Sequence, residues 1–287
     1  MADLRDLLRV PSGGVRLADI DPRGTPGLPR KRLAGGHPKR WSGKEVAAIS
    51  EDLGAYQERL FAQAKSGATG KRLLLVLQAM DCGGKDGTVR SVTEGMSPAG
   101  MKAVSFGPPS EEERKHDFLW RIRRALPGAG CVGIFNRSHY EDVLVVRVHD
   151  LVTPDVWEQR YDAINRFEAE QAGDGLVMVK VMLHISREEQ KKRLLARLDD
   201  PTKHWKYNPD DLAERSRWDD YQQAYNDALS RCSTAAAPWY VVPADRKWYR
   251  NWAVTTLLRE VFAEIDPQYP EPDFDVATER AKLLAAD

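Results

Sequence analysis

One short segment carries residue types that handle phosphate. It is Gln78-Ala79-Met80-Asp81-Cys82-Gly83-Gly84-Lys85-Asp86-Gly87-Thr88, placed between an apolar run and a helical stretch from Val89 to Met96. Set against G-x-x-x-x-G-K-[ST], Gly84-Lys85 fits, Ala79 replaces the first glycine and Asp86 replaces the hydroxyl residue. Small residues (Gly83, Gly84, Gly87) let backbone N–H groups close on phosphate oxygens. The following helix N-terminus favours an anion, and Lys85 can reach the charge between two phosphates. The hydroxyl that usually meets Mg²⁺ is missing, and Asp81, Asp86 and Thr88 are its candidate replacements. A carboxylate inside a phosphate loop is unfavourable unless a cation stands between it and the phosphate, so Asp81 reads as directed at Mg²⁺. A glycine-rich turn that binds nothing is the plainer alternative. The strand before, the helix after and Asp81 argue against it.

A second segment, Phe135-Asn136-Arg137-Ser138-His139-Tyr140-Glu141-Asp142, ends another apolar run. Phosphate-loop enzymes carry an acid for Mg²⁺ on the strand beside the loop strand. Here that position is Asn136. Arg137 would project into the same cleft, where a guanidinium stabilises a transferring phosphoryl group. Glu141 and Asp142 could supply the missing acid. A polar loop held by internal salt bridges is the alternative. A third segment, residues 187–206, holds seven Lys/Arg and four Asp/Glu. Arg193 and Arg197 lie four apart and share a helix face. Lys203 and Lys206 follow the turn Asp199-Asp200-Pro201. The segment reads as a lid that brings cations over phosphates, or else as a solvated charged face.

The elements that must position these groups alternate. Leu73 to Leu77, Lys102 to Phe106, Cys131 to Phe135, Leu176 to Ile185 and Trp239 to Val242 read as strands, the second of them weaker. Ser42-Gly43-Lys44-Glu45 and Ser110-Glu111-Glu112-Glu113 are capping boxes. The first leads to Val46, Ile49, Leu53, Tyr56 and Leu60 at helical spacing. The second leads to Phe118, Leu119, Ile122 and Leu126. Thr153-Pro154 and Ser186 open two more helices, and Lys206 to Pro209 another that carries Trp218, Tyr221 and Tyr225. Alternation of this kind predicts a parallel five-stranded sheet flanked by helices, with ligands at the carboxyl ends of the strands. Three regions follow: a basic irregular arm over 1–41, a phosphate-loop domain over 42–265 with a helical lid at about 187–217, and an acidic tail over 266–287. The arm is either solvated or packed on the domain or a partner subunit.

Composition limits the rest. Lys+Arg is 43 and Asp+Glu is 43, so no wholesale basic coat for nucleic acid exists. The three cysteines are widely spaced, which argues against a disulfide scaffold or a zinc ribbon. The histidines form no H-E-x-x-H. No run approaches about 20 apolar residues, and no apolar leader is seen, so no membrane role and a cytoplasmic location are expected.

The motifs together resemble the type-two polyphosphate kinases. The resemblance rests on Gln78 through Thr88, on Gly133 through Glu141, on Ser186-Arg187-Glu188-Glu189-Gln190 through His204-Trp205-Lys206, and on Trp218-Asp219-Asp220-Tyr221. It spans roughly 45 to 265 in order. It implies a P-loop kinase fold and phosphoryl transfer from inorganic polyphosphate to AMP and ADP, giving ADP and ATP, with the reverse direction open. It implies Mg²⁺, with Mn²⁺ as a substitute. Asp81 would help hold the metal, with Glu141 beside it. Lys85 and Arg137 would grip the transferring phosphates, and Arg193 and Arg197 would be lid arginines. Many members have Asp where this chain has Asn136, which puts metal ligation from that strand end in doubt. Glu141 matches the subgroup that uses both AMP and ADP. A channel for the polyanion would draw on Lys85, Arg90, Lys203, Lys206 and Arg231. A homodimer or homotetramer is compatible with the Arg-rich arm. The rivals are an ADP-restricted member, an ATP-dependent nucleotide monophosphate kinase, and an idle domain that binds without turnover.

Overall fold

Four of the five apolar runs form strands that are buried on both faces of a sheet. In the computed structural model, which describes residues 3–29 and 35–286, the strands are β1 (Arg72–Gln78), β2 (Met101–Ser105), β3 (Val132–Asn136), β4 (Leu176–His184) and β5 (Trp239–Pro243). All pairings are parallel, in the order β2-β3-β1-β4-β5. Leu77 lies level with Asn136 on one side and Val181 on the other, so β1, β3 and β4 end together. Alternate residues of β1 feed two cores: Leu73, Leu75 and Leu77 one face, Leu74 and Val76 the other. β2 is an edge strand with exposed positions, which is why its apolar signal is weak.

The helices are α1 (Leu4–Leu8), α2 (Pro38–Lys65), α3 (Lys85–Thr93), α4 (Trp120–Ala125), α5 (Val145–Val148), α6 (Pro154–Gly173), α7 (Arg187–Leu198), α8 (Asp211–Ser216), α9 (Trp218–Cys232), α10 (Lys247–Ile265) and α11 (Val276–Leu284). α2, α3 and α10 cover the sheet face fed by Leu73 and Leu75. α4 and α6 cover the other with Ile122 and Phe167. None of these helices is long and apolar enough to cross a membrane.

Several boundaries differ from the sequence reading. α2 starts at Pro38, not at a Ser42 cap. Proline presets the first helical turn, and Ser42 lies inside, its hydroxyl donating to the Lys39 carbonyl at 3.0 Å. The Ser110 box does close, with Ser110 N donating to Glu113 Oε2 at 2.8 Å and Glu113 N to Ser110 Oγ at 3.2 Å. It yields only one 3₁₀ turn before Asp117 caps the chain again at Leu119 N, and α4 follows. The helix expected from Lys206 to Pro209 is two helices, α8 and α9, broken at Arg217. Residues 3–29 pack on the domain: Leu4, Leu8, Val10 and Leu17 are buried, and Val10 N donates to Trp239 O at 2.9 Å. Parts of the arm (1–2 and 30–34) and Asp287 lie outside the described residues. The acidic tail is largely exposed and carries α11, capped by Asp275.

Candidate active site

β1 delivers the chain into a loop whose shape only glycine permits. A Cβ on Gly83 would lie 2.3 Å from the Ala79 Cβ. Gly84 sits at φ 104°, where L side chains are strained, and starts α3 as its N-cap. A Cβ there would meet Arg250 Nη1 at 1.8 Å. Gly84→Ala should therefore cost about 1–3 kcal/mol of stability and disorder the loop. A melting curve and activity both at wild-type level would refute the assignment of this backbone to phosphate binding.

Lys85, the first residue of α3, donates from Nζ to the Ala79 carbonyl at 2.9 Å and so lies across the loop mouth. Asp81 Oδ1 accepts from Arg137 Nη2 at 3.2 Å. Arg137 stands at φ 64° just past β3, and its N–H donates to Leu77 O at 3.0 Å, which locks the turn to the end of β1. Burial pushes the Lys85 ammonium down, against the pull of Asp81. Burial pushes the Glu141 carboxyl up, against Arg137 and Lys85. For Arg137 burial works downward, but Glu141 and Asp81 outweigh it and hold the charge more firmly. Asp81, Lys85, Arg137 and Glu141 thus form one electrostatic cluster at the carboxyl ends of β1 and β3.

The amide at the β3 end has an acid as its neighbour. Asn136 Nδ2 donates to Asp86 Oδ1 at 2.8 Å, so the acid lies on α3 and the amide on β3. Asp86 Oδ2 also faces Lys206 Nζ at 4.0 Å, the lid's one direct link to the loop among the described salt bridges. Thr88 is the hydroxyl weighed for the metal. It is buried, and its Oγ1 donates to Gly84 O at 3.2 Å. Asp142, the second acid weighed for the strand end, is bound by Arg160 Nη1 at 2.9 Å. Arg90 is exposed on α3 and lines a cleft of about 260 Å³ with Asp86, Ser105 and Asn136.

The lid residues divide. Arg193 is 8% exposed, and its donors are all engaged. Nε goes to Glu189 at 2.8 Å. Nη1 goes to the carbonyls of Cys82 and Gly83, and Nη2 to those of Ala244 and Asp245. With these contacts it braces the loop backbone from behind, where the sequence reading set it over phosphate. Arg197 is half-buried and binds Lys206 O at 2.8 Å and Asp211 Oδ2 at 3.3 Å through Nη1. Lys203 is exposed and paired with Asp200. Arg231 lies elsewhere, on α9 against Glu158 and the Tyr161 ring, and does not line this cleft.

Three contributors escaped sequence reasoning. Gln190 Nε2 donates to Asp81 O at 3.1 Å. Buried Asp211 stands near Asp81, and its carboxyl is pushed up by burial and then by that neighbour. Arg250, on α10, abuts Gly84 and Gly87. The available signal for Arg250 was its place four residues past the residue Arg246, just beyond the end of β5.

Among the described residues no three His, Cys, Asp or Glu side chains form a preformed metal cage. The donors present are carboxylate oxygens, which suits Mg²⁺ or Mn²⁺ rather than a softer metal. Mg²⁺ commonly takes one or two carboxylates and completes its shell with phosphate and water. Asp81 and Glu141 fit that demand.

Comparison with known proteins gives a consistent pattern. The family model described as Polyphosphate kinase 2 matches residues 44–270. An AMP/ADP-polyphosphate phosphotransferase of Meiothermus ruber is 45% identical over 92% of this chain and 94% of its own length. An ADP-polyphosphate phosphotransferase of Rhodopseudomonas palustris is 42% identical over 77% of this chain and 79% of its own. A crystal structure of polyphosphate kinase 2 from Arthrobacter aurescens TC1 superposes with a TM-score of 0.94 at 48% identity, covering 99% of this chain and 97% of that one.

Proposed function

The chain belongs to the polyphosphate kinase 2 family, and we propose that it transfers a phosphoryl group from inorganic polyphosphate to AMP and ADP. One observation carries the chemistry: Lys85 and Arg137 converge with Asp81 at the mouth of a glycine-shaped loop, on the carboxyl ends of adjacent parallel strands. In-line phosphoryl transfer needs little covalent help. It needs positioning and a neutral environment for charge shared between two phosphate groups. The loop N–H groups and Lys85 hold one phosphate set. Arg137, fixed to the β1 end, faces the group in transit. Asp81 orients Arg137 from within the loop, with Glu141 in the same charge cluster. Asp81 and Glu141 would hold Mg²⁺, which would supply charge neutralisation for the phosphates. Chelation with EDTA should stop turnover, and Mg²⁺ or Mn²⁺ should restore it. Full activity in EDTA would remove the metal from the account.

Glu141 supports the dual acceptor range. Its position matches the subgroup that uses AMP and ADP, and it stands in the charge cluster rather than at the surface. Glu141→Asn should lower kcat/KM for AMP about tenfold more than for ADP, the scale of one charged hydrogen bond. Acceptor-resolved kinetics with polyphosphate as donor measure this, and equal losses on both acceptors would defeat it.

A further inference from the structure

α9 packs on α5 and α6, and α5 packs on the turn His139–Asp142 that carries Glu141. Three hydrogen bonds fix α9 in place. Arg217 Nη1 donates to Val148 O at 2.6 Å, Asn226 Oδ1 accepts from Leu17 N at 2.8 Å, and Asp227 Oδ2 accepts from Arg147 Nη1 at 2.6 Å. Two tyrosines one turn apart on this helix, Tyr221 and Tyr225, face the charge cluster of Glu141 and Asp81. The hydroxyl of Tyr221 is already engaged: Oη donates to Glu214 Oε2 at 2.6 Å and lies 3.4 Å from His149 Nε2. Tyr225 differs. It is 5% exposed, yet its hydroxyl has no hydrogen-bond partner among the described residues and is not sealed from solvent. Glu141, Tyr221, Asp81 and Arg137 are the groups that face it, and Arg137 feels it in return. Burial first and then Glu141 push the phenol well above its ordinary value, so at neutral pH it is an uncharged proton donor. A hydroxyl so placed costs free energy unless something accepts its proton, and a phenyl ring would fill the same space without that cost.

We propose that Tyr225 is a further substrate-contacting residue, whose hydroxyl donates to an oxygen of the acceptor nucleotide's terminal phosphate beside Arg137 and Glu141. This deepens the AMP and ADP acceptor reading and rests on it. The loop N–H groups and Lys85 gather the donor phosphates from α3. Tyr225 comes instead from α9, and the first charged group it faces is Glu141, the residue tied to acceptor choice. Arg137 already brings positive charge to this place. A neutral donor on a helix pinned at Arg217, Asn226 and Asp227 adds direction without adding charge, and in-line transfer depends on such positioning.

The test is steady-state kinetics of Tyr225→Phe, which removes the hydroxyl and keeps the ring. Acceptor kinetics with AMP and with ADP are measured at saturating polyphosphate, and KM for polyphosphate at saturating AMP. For each acceptor kcat/KM should fall about 10- to 100-fold, the scale of one hydrogen bond to a charged group. KM for polyphosphate should stay within about twofold, because the donor keeps all its contacts. The variant should melt no earlier than wild type, since no bond inside the fold is lost. Acceptor kinetics unmoved by the substitution, or acceptor and polyphosphate KM values rising together, would overturn the contact. So would an early melt, which would show the hydroxyl bonded within the fold. Wild-type product from polyphosphate and AMP tests the proposed function by itself. Against that product, unchanged acceptor kinetics in Tyr225→Phe remove the contact alone. A wild-type enzyme that phosphorylates neither AMP nor ADP removes both.

Discussion

Lys85→Ala is expected to lower kcat by about 10³-fold, the scale of removing one preorganised charge from a phosphoryl-transfer site, while the protein melts no earlier than wild type. The two halves of this result have one cause. Lys85 is drawn into the loop, where burial pushes its ammonium down from its ordinary value and Asp81 only partly compensates. A base whose folded-state value is depressed holds its proton less tightly folded than unfolded. At neutral pH both states are protonated, so the folded state carries the desolvation penalty and the alanine variant sheds it. Its single hydrogen bond, to Ala79 O, is a modest loss in return. In the proposed mechanism substrate phosphates supply the missing counter-charge, and that gain would disappear with the side chain. Product formation and calorimetric melting check both halves. A kcat within a few-fold of wild type would remove Lys85 from the mechanism, and an early melt would show that it is structural.

Glu168→Ala is expected to destabilise the fold by about 3–5 kcal/mol, the cost of stranding a buried charge. Glu168 and Lys180 are both fully buried, with Lys180 Nζ 2.5 Å from Glu168 Oε2. Lys180 also donates to Tyr140 Oη and Cys232 O, each at 2.7 Å. Glu168 Oε1 accepts from Tyr140 Oη at 2.9 Å and lies 3.1 Å from His139 Nε2. The network ties β4 and α6 to the turn that carries Arg137 and Glu141, so its loss should also lower kcat. Replacing both charges, Glu168→Leu with Lys180→Met, should recover much of the stability, because no lone charge remains. Urea unfolding measures this through the midpoint at constant slope. A loss below about 1 kcal/mol would mean that water reaches Lys180 and the network is not sealed.

Much of this molecule was legible in its sequence, for local reasons. Four apolar runs became strands because inner parallel strands are buried on both faces and need no partner pattern to be recognised, while the fifth, β2, is an exposed edge with a weaker signal. The phosphate loop was legible because glycine spacing and Lys85 act within a few residues of one another. What stayed hidden depends on contacts between distant residues. The spacing of Arg193 and Arg197 set them on one helix face, but not where that face points. Arg193 turns in to loop carbonyls more than a hundred residues away in the chain, while Arg197 stays beside Lys206. The pairing of Asn136 with Asp86 crosses 50 residues, so the acid that α3 sets beside the β3 end was not legible. His139 and Tyr140 read as part of a polar loop, yet both are fully buried on Glu168. Arg250 was masked by the apolar helix around it. Leu4, Leu8 and Leu17 in the arm are too isolated among Pro, Gly and Arg to announce a packed face.

The central claim is the donor. Purified enzyme with Mg²⁺ and AMP, given either polyphosphate or ATP as the sole phosphoryl source, decides it by analysis of the nucleotides formed. The account predicts ADP and then ATP from polyphosphate. Product from ATP alone, with polyphosphate inert, would make this an ATP-dependent nucleotide monophosphate kinase and contradict it.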